Sequence, residues 1–145
     1  MDNIKFKNKR VLITGGNGYL GGKLAKELFT KGALVISIDI QSNSLCKDVE
    51  YFKVDLTDFN QLNDVVHKVA PDLIYHLAAT LDRTRDFVLT NKIFQVNVNG
   101  TINLLNALKN VVSSNANVFM LPKFVSFENS LGRESPSLTR FACFT

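Results

Sequence analysis

The sequence predicts an α/β domain: a doubly wound parallel sheet, helices on both faces, ending after about five strands. Three observations carry this. Residues 9–14, 33–39 and 72–79 hold near-continuous apolar runs without the polar alternation of a half-exposed strand. Segments of helical period stand between these runs, at 19–31 and 59–69. The first strand enters the first helix through a turn with glycine at every third position, Gly15, Gly18 and Gly21.

Each of these glycines has its own physical task. Gly15 allows a tight turn off the strand end. Gly18 has no side chain, so a pyrophosphate can approach the backbone. Gly21 lets the helix pack closely on the strand. Beyond the turn, Leu20, Leu24, Leu28 and Phe29 form the apolar period, with Lys23, Lys26 and Glu27 between them. Strand, glycine turn and helix make the phosphate-cradling half of a dinucleotide-binding unit, because a helix N-terminus offers free N–H groups and partial positive charge.

The string Thr14-Gly15-Gly16-Asn17-Gly18-Tyr19-Leu20-Gly21 resembles the short-chain dehydrogenase/reductase superfamily, in its extended, NAD-dependent epimerase/dehydratase branch. The resemblance is specific over about residues 9–110. It implies a Rossmann-type sheet of order 3-2-1-4-5, NAD as cofactor and a nucleotide-sugar-type substrate.

Composition bounds the alternatives. The 145 residues are 46% apolar, enough for one domain across 1–145. No apolar run approaches the roughly 18 residues of a membrane span, and the polar, basic start lacks a signal-peptide core. Cys46 and Cys143 lie far apart and suggest neither a metal site nor a disulfide framework; a cytoplasmic protein is expected. The net charge of +4 raises the question of nucleic acid, but the basic residues beyond the N-terminal patch (Lys5, Lys7, Lys9, Arg10) are dispersed among acids. No basic and aromatic stripe suggests base stacking. Neither nucleic acid nor a membrane is expected as a partner.

In chain order, residues 9–14 are the first strand and 19–31 the first helix, with Gly32 closing it. Residues 33–39 form the second strand and end in Asp39, 18 positions after Gly21. An acid there can accept both ribose hydroxyls of the adenosine half and repels a 2′-phosphate, which favours NAD over NADP. The third strand lies near 51–54. After it, Asp55-Leu56-Thr57-Asp58 resembles the family segment that lies against adenine; Thr57 or Asp58 also suits an N-cap. A helix over 59–69 buries Leu62, Val65, Val66 and Val69, leaves His67 on the solvated face and stops at Pro71. The fourth strand and its exit follow at 72–79. His76-Leu77-Ala78-Ala79 resembles the family's His-x-Ala-Ala segment, whose small residues let backbone approach the cofactor. His76 reads as a satisfied structural group rather than an acid/base.

Residues 80–91 read as a charged loop, in which Arg83 or Arg85 could meet a phosphate. A long helix is expected from Lys92 to Val112. In it, Asn97-Val98-Asn99-Gly100-Thr101-Ile102-Asn103-Leu104-Leu105 resembles a family element in which Asn97 holds the site's backbone together near the nicotinamide. Close packing on the sheet would offset the cost of a helical Gly100. The cofactor-binding set is thus Gly15, Gly18, Tyr19, Leu20, Gly21, Asp39, Asp55, Leu56, Leu77, Ala78, Ala79 and Asn97.

The pattern departs from the family after residue 110. Pro122 restricts the fifth strand to 118–121 or 123–127. Ser126 and Ser130 supply hydroxyls, but not in the family arrangement. No Tyr-x-x-x-Lys follows Gly132; the tyrosines are Tyr19, Tyr51 and Tyr75. Tyr19 and Lys23 have that spacing but belong to the first helix, away from the fourth and fifth strands. No catalytic or metal-binding residue is therefore assigned. The expectation is the NAD-binding portion of an epimerase/dehydratase-like oxidoreductase, catalytically incomplete and shortened; the alternative is a non-catalytic NAD-binding interaction module. An uncovered fifth strand would favour self-association.

Overall fold

The computed structural model describes residues 6–42, 44, 46–80, 87–109, 111 and 117–120. The elements run β1 (Arg10–Thr14), α1 (Tyr19–Thr30), β2 (Leu34–Asp39), β3 (Glu50–Lys53), α2 (Phe59–Val69), β4 (Leu73–His76), α3 (Phe87–Phe94), a π-helical turn (Gln95–Asn99), α4 (Gly100–Leu108) and β5 (Asn117–Met120). The sheet is parallel in every pairing and ordered β3-β2-β1-β4-β5. This is the Rossmann-type order expected from the sequence.

Successive side chains of a strand point to opposite faces, so the apolar runs feed two cores. Leu12, Ile36, Ile38 and Ile74 meet Leu62, Val66 and Val69 of α2 and Leu104, Ala107 and Leu108 of α4. Val11, Ile13 and Val35 meet Ala25 and Leu28 of α1 on the other face. The central strand is sealed between them: Val11, Leu12 and Ile13 have no exposed surface.

Helix α1 ends in a Schellman motif. Gly32 takes φ +81°, its N–H bonds the Phe29 carbonyl at 2.9 Å, and the Ala33 N–H bonds the Leu28 carbonyl at 3.1 Å. Its buried residues are Gly21, Ala25 and Leu28. Leu20 and Phe29, counted in the apolar stripe of the sequence, are instead 51% and 45% exposed. Asp58, not Thr57, caps α2: its Oδ1 accepts the Gln61 N–H at 3.1 Å.

Three expectations need correction. The charged loop is shorter than 80–91, since α3 begins at Phe87. The long helix is interrupted by the π-turn at 95–99 and its last helical residue is Leu108. Gly100 packs against a loop rather than the sheet: a Cβ there would lie 3.0 Å from the Leu56 Cβ. Of the two options for the fifth strand, the first holds, with β5 paired to β4 in the register Ile74–Val118 and Tyr75–Phe119. Arg83, Arg85, Pro122, Ser126, Ser130 and Cys143 lie outside the described residues.

Candidate functional site

The C-terminal ends of β1, β2 and β4 and the loop after β3 surround a cleft of about 390 Å³. It opens where the chain leaves β1 toward one side of the sheet and β4 continues on the other, the crevice at which open α/β sheets bind ligands. Gly15, Gly18, Asp39, Asp55, Leu56, Leu77, Ala78 and Ala79 line it.

The glycine turn is built by backbone contact. Gly15 has φ +72°, and a Cβ on it would stand 2.7 Å from the Ala78 Cα and N. Its N–H and that of Gly16 bond the Ile38 carbonyl at 2.9 and 3.2 Å, tying the turn to β2. Gly21 approaches the turn rather than the strand: its Cβ would lie 2.1 Å from the Gly15 carbonyl oxygen. Gly18 is the N-cap of α1 and has no capping side chain. The first intrahelical bond is Gly22 N–H to the Gly18 carbonyl at 2.9 Å. The N–H groups of Tyr19, Leu20 and Gly21 therefore have no backbone acceptor among the described residues, as expected for a first helical turn. This open N-terminus, beside a cleft floored by glycine and alanine, fits a pyrophosphate. Tyr19, Leu20 and Gly21 stand at this N-terminus without lining the cleft, and Tyr19 and Leu20 are 81% and 51% exposed.

Asp39 stands at the end of β2 with its carboxylate already oriented. Oδ2 accepts the Asn17 N–H at 3.0 Å and Oδ1 the Gln41 N–H at 3.3 Å. Across the cleft, the Asp55 carboxylate is engaged by Thr57, whose N–H and hydroxyl donate to Oδ1 at 2.9 and 2.7 Å. The Asn103 Nδ2 donates to the Leu56 and Thr57 carbonyls at 2.9 and 3.3 Å, fastening this loop to α4.

Asn97 does not line the cleft. It lies in the π-turn and pairs like a peptide with the backbone of Thr80. Oδ1 accepts the Thr80 N–H at 2.8 Å and Nδ2 donates to the Thr80 carbonyl at 2.9 Å. Thr80 itself lines the cleft, so Asn97 holds the wall from behind.

His76 is 8% exposed and joins β1 to the first turn of α4. Its Nδ1 lies 2.6 Å from the Thr14 Oγ1 and its Nε2 2.9 Å from the Thr101 Oγ1. Thr101 spends its hydroxyl proton on the Asn97 carbonyl at 2.7 Å, so it must accept from His76. Nε2 therefore carries a proton, and the Thr14 hydroxyl stands at Nδ1. The Thr14 Oγ1 in turn accepts the Ala78 N–H at 3.2 Å. A hydrogen-bonded chain thus runs Ala78, Thr14, His76, Thr101, Asn97.

Tyr19 and Lys23 meet at the solvent face of α1. The Lys23 Nζ donates to the Tyr19 hydroxyl at 2.5 Å and lies 4.2 Å from the ring centroid. Their helix lies on the far side of β1 from β5, so the pair does not face the β4–β5 end of the cleft. Among the described residues, no group of three or more metal-ligating side chains comes together, and no helix is long and apolar enough to cross a membrane.

Several contributors escape a linear reading: Asn17, Gln41, Tyr51, Thr80, Lys92, Val96 and Asn103. Val96 and Lys92 line the cleft, four and eight positions before Gly100, and helical spacing from that glycine could have found them. Asn17 and Tyr51 carried no local signal.

Comparison with known proteins places these features. The model of the NAD dependent epimerase/dehydratase family matches residues 11–126, so family likeness extends past residue 110 into the region that read as divergent. UDP-glucose 4-epimerase of Mycoplasma genitalium is 32% identical over 110 residues, covering 70% of this chain and 32% of that protein. CDP-paratose 2-epimerase of Salmonella typhi is 31% identical, covering 75% and 35%. Among solved structures, Thermus thermophilus UDP-glucose 4-epimerase in complex with NAD has TM-score 0.62 and 30% identity, covering 68% of this chain and 33% of that one. The chain thus spans about a third of the length of these relatives.

Proposed function

Because this chain belongs to the NAD-dependent epimerase/dehydratase family, we propose that it holds NAD as the cofactor-binding part of an oxidoreductase acting on nucleotide sugars. The observation that carries the reading is the pairing of an open α1 N-terminus with the oriented Asp39 carboxylate, on one cleft. The amides of the first turn of α1 and the backbone at Gly18 hold the pyrophosphate. Asp39 accepts the hydroxyls of the adenosine ribose. Asp55 and Leu56 lie along the adenine. Leu77, Ala78 and Ala79 floor the path to the nicotinamide, and Asn97 keeps that floor in place through Thr80. When bound, NAD supplies a hydride acceptor for a sugar alcohol.

Among the described residues, no proton-transfer pair stands beside this path. Tyr19 and Lys23 have the family spacing, but Tyr19 is 81% exposed on α1. We read the chain as holding cofactor without turning over sugar by itself; a binding module with no catalytic role is the second reading, favoured by the same observation.

Calorimetric titration with NAD and NADP tests the proposal. Micromolar NAD binding and at least tenfold weaker NADP binding are expected, with the preference lost in Asp39→Ala. At a hundred times its dissociation constant, NAD should stabilise the fold by about 2.7 kcal/mol. A chain that melts cooperatively and binds neither nucleotide refutes the reading. Turnover of UDP-glucose by the chain alone would refute the non-catalytic part.

A further inference from the structure

Behind Asp39 four groups close a ring. The Asn17 N–H donates to Asp39 Oδ2 at 3.0 Å. The Asn17 Nδ2 donates to the Tyr51 hydroxyl at 3.3 Å. That hydroxyl donates to the Gln41 carbonyl at 2.5 Å and lies 3.4 Å from the Asp39 carbonyl. The Gln41 N–H returns to Asp39 Oδ1 at 3.3 Å. Each carboxylate oxygen has about two acceptor positions, and the ring occupies one on each. One acceptor per oxygen remains for the cleft, which suits the two neighbouring hydroxyls of a ribose.

The sheet makes this ring possible. Tyr51 sits on β3 opposite Ser37 of β2, two residues before Asp39, so its long side chain reaches the end of the neighbouring strand. Asn17 reaches the same point from the glycine turn and is 7% exposed. Burial first, and then the negative charge of Asp39, hold the Tyr51 hydroxyl above its ordinary pKa, opposed by the Asn17 bond. It therefore keeps its proton at neutral pH and remains a donor to Gln41.

We propose that Tyr51, braced by Asn17, is a positioning residue that locks the Asp39–Gln41 turn and so selects a free adenosine ribose over a 2′-phosphorylated one. A 2′-phosphate needs the turn to open and the carboxylate to swing away. The Tyr51 bond to the Gln41 carbonyl opposes that opening. The inference rests on the reading of Asp39 as the ribose acceptor.

The test titrates the full chain, wild type and Tyr51→Phe, with NAD, NADP and an NAD analogue lacking both hydroxyls of the adenosine ribose. Loss of one neutral hydrogen bond should weaken NAD binding about fivefold to tenfold. The analogue, which makes no bond to Asp39, should lose less than about twofold on the same scale, and the NAD-to-NADP ratio should narrow. A melt without ligand establishes that the variant folds; Asn17→Ala carries the same comparison where it does not. Equal weakening of NAD and the analogue would reduce Tyr51 to a general structural role and overturn the proposal, as would unchanged NAD binding. A wild-type chain that binds no NAD fails at the earlier step and removes the dinucleotide reading itself.

Discussion

Replacing Gly21 and Gly22 by alanine, one at a time, should move stability in opposite directions. Both are in the first turns of α1, where alanine gains about 1 kcal/mol over glycine in helix propensity. The difference lies in what each new methyl meets. At Gly22 the nearest atom is the Gly16 carbonyl oxygen, at 3.5 Å, an ordinary contact. At Gly21 the Cβ would stand 2.1 Å from the Gly15 carbonyl oxygen and 2.9 Å from the Gly15 carbonyl carbon and the Gly16 Cα. These atoms are all backbone, so no side chain can swing aside; helix and turn must separate by about 1 Å to restore normal van der Waals spacing. Overpacking of this kind costs up to about 3 kcal/mol, which the propensity gain reduces to a net loss of about 2. At about 4 °C per kcal/mol for a chain of this size, Gly21→Ala should melt about 8 °C below wild type and Gly22→Ala a few degrees above it. Thermal denaturation followed by circular dichroism reads both. The displaced atoms also shape the proposed pyrophosphate cradle, so Gly21→Ala should lose at least tenfold in NAD affinity while Gly22→Ala keeps it. A Gly21→Ala protein that melts within a degree of wild type, or rises with Gly22→Ala, would refute the close-approach argument.

Asn97→Leu leaves the half-buried N–H and carbonyl of Thr80 without their partners, and should cost about 1–3 kcal/mol of stability in chemical denaturation. Alkaline stability follows from Tyr51 and Tyr75, both raised above 10.0, Tyr75 by burial alone. The folded state keeps protons that the unfolded chain releases, so stability is full below pH 10 and falls as pH rises through the folded values. Melts between pH 8 and 11 should show that fall, and Tyr51→Phe with Tyr75→Phe should flatten it. Among the described residues β5 pairs on one side only, and Val118 and Phe119 are 38% and 46% exposed, with Phe119 stacked on Tyr75 at 5.1 Å. Concentration-dependent association in light scattering is expected, reduced by Val118→Lys; a monodisperse monomer at high concentration would count against it.

Much of the fold was legible because its signals are local. Apolar runs flanked by turns mark β1, β2 and β4, and the spacing Leu62, Val66, Val69 marks α2, since a strand's period and a helix's period leave different prints on a few adjacent residues. The glycine turn and Asp39 were legible for a similar reason: each is set by one strand end and its distance along the chain. The interruption of the helix at 95–99 was not, because residues of ordinary helical propensity there take a π-turn in which Asn97 pairs with a long-range partner, Thr80. Nor was Gly100's partner, since the loop carrying Leu56 comes from 44 positions earlier.

The sequence by itself determined the order of the strands, their two-faced burial and the placement of a glycine turn beside an acid. Only the tertiary structure decided how that acid is held. Asn17, Asp39, Gln41 and Tyr51 come from three separate stretches. They meet because β2 lies between β1 and β3, an adjacency created by long-range packing that no spacing along the chain encodes.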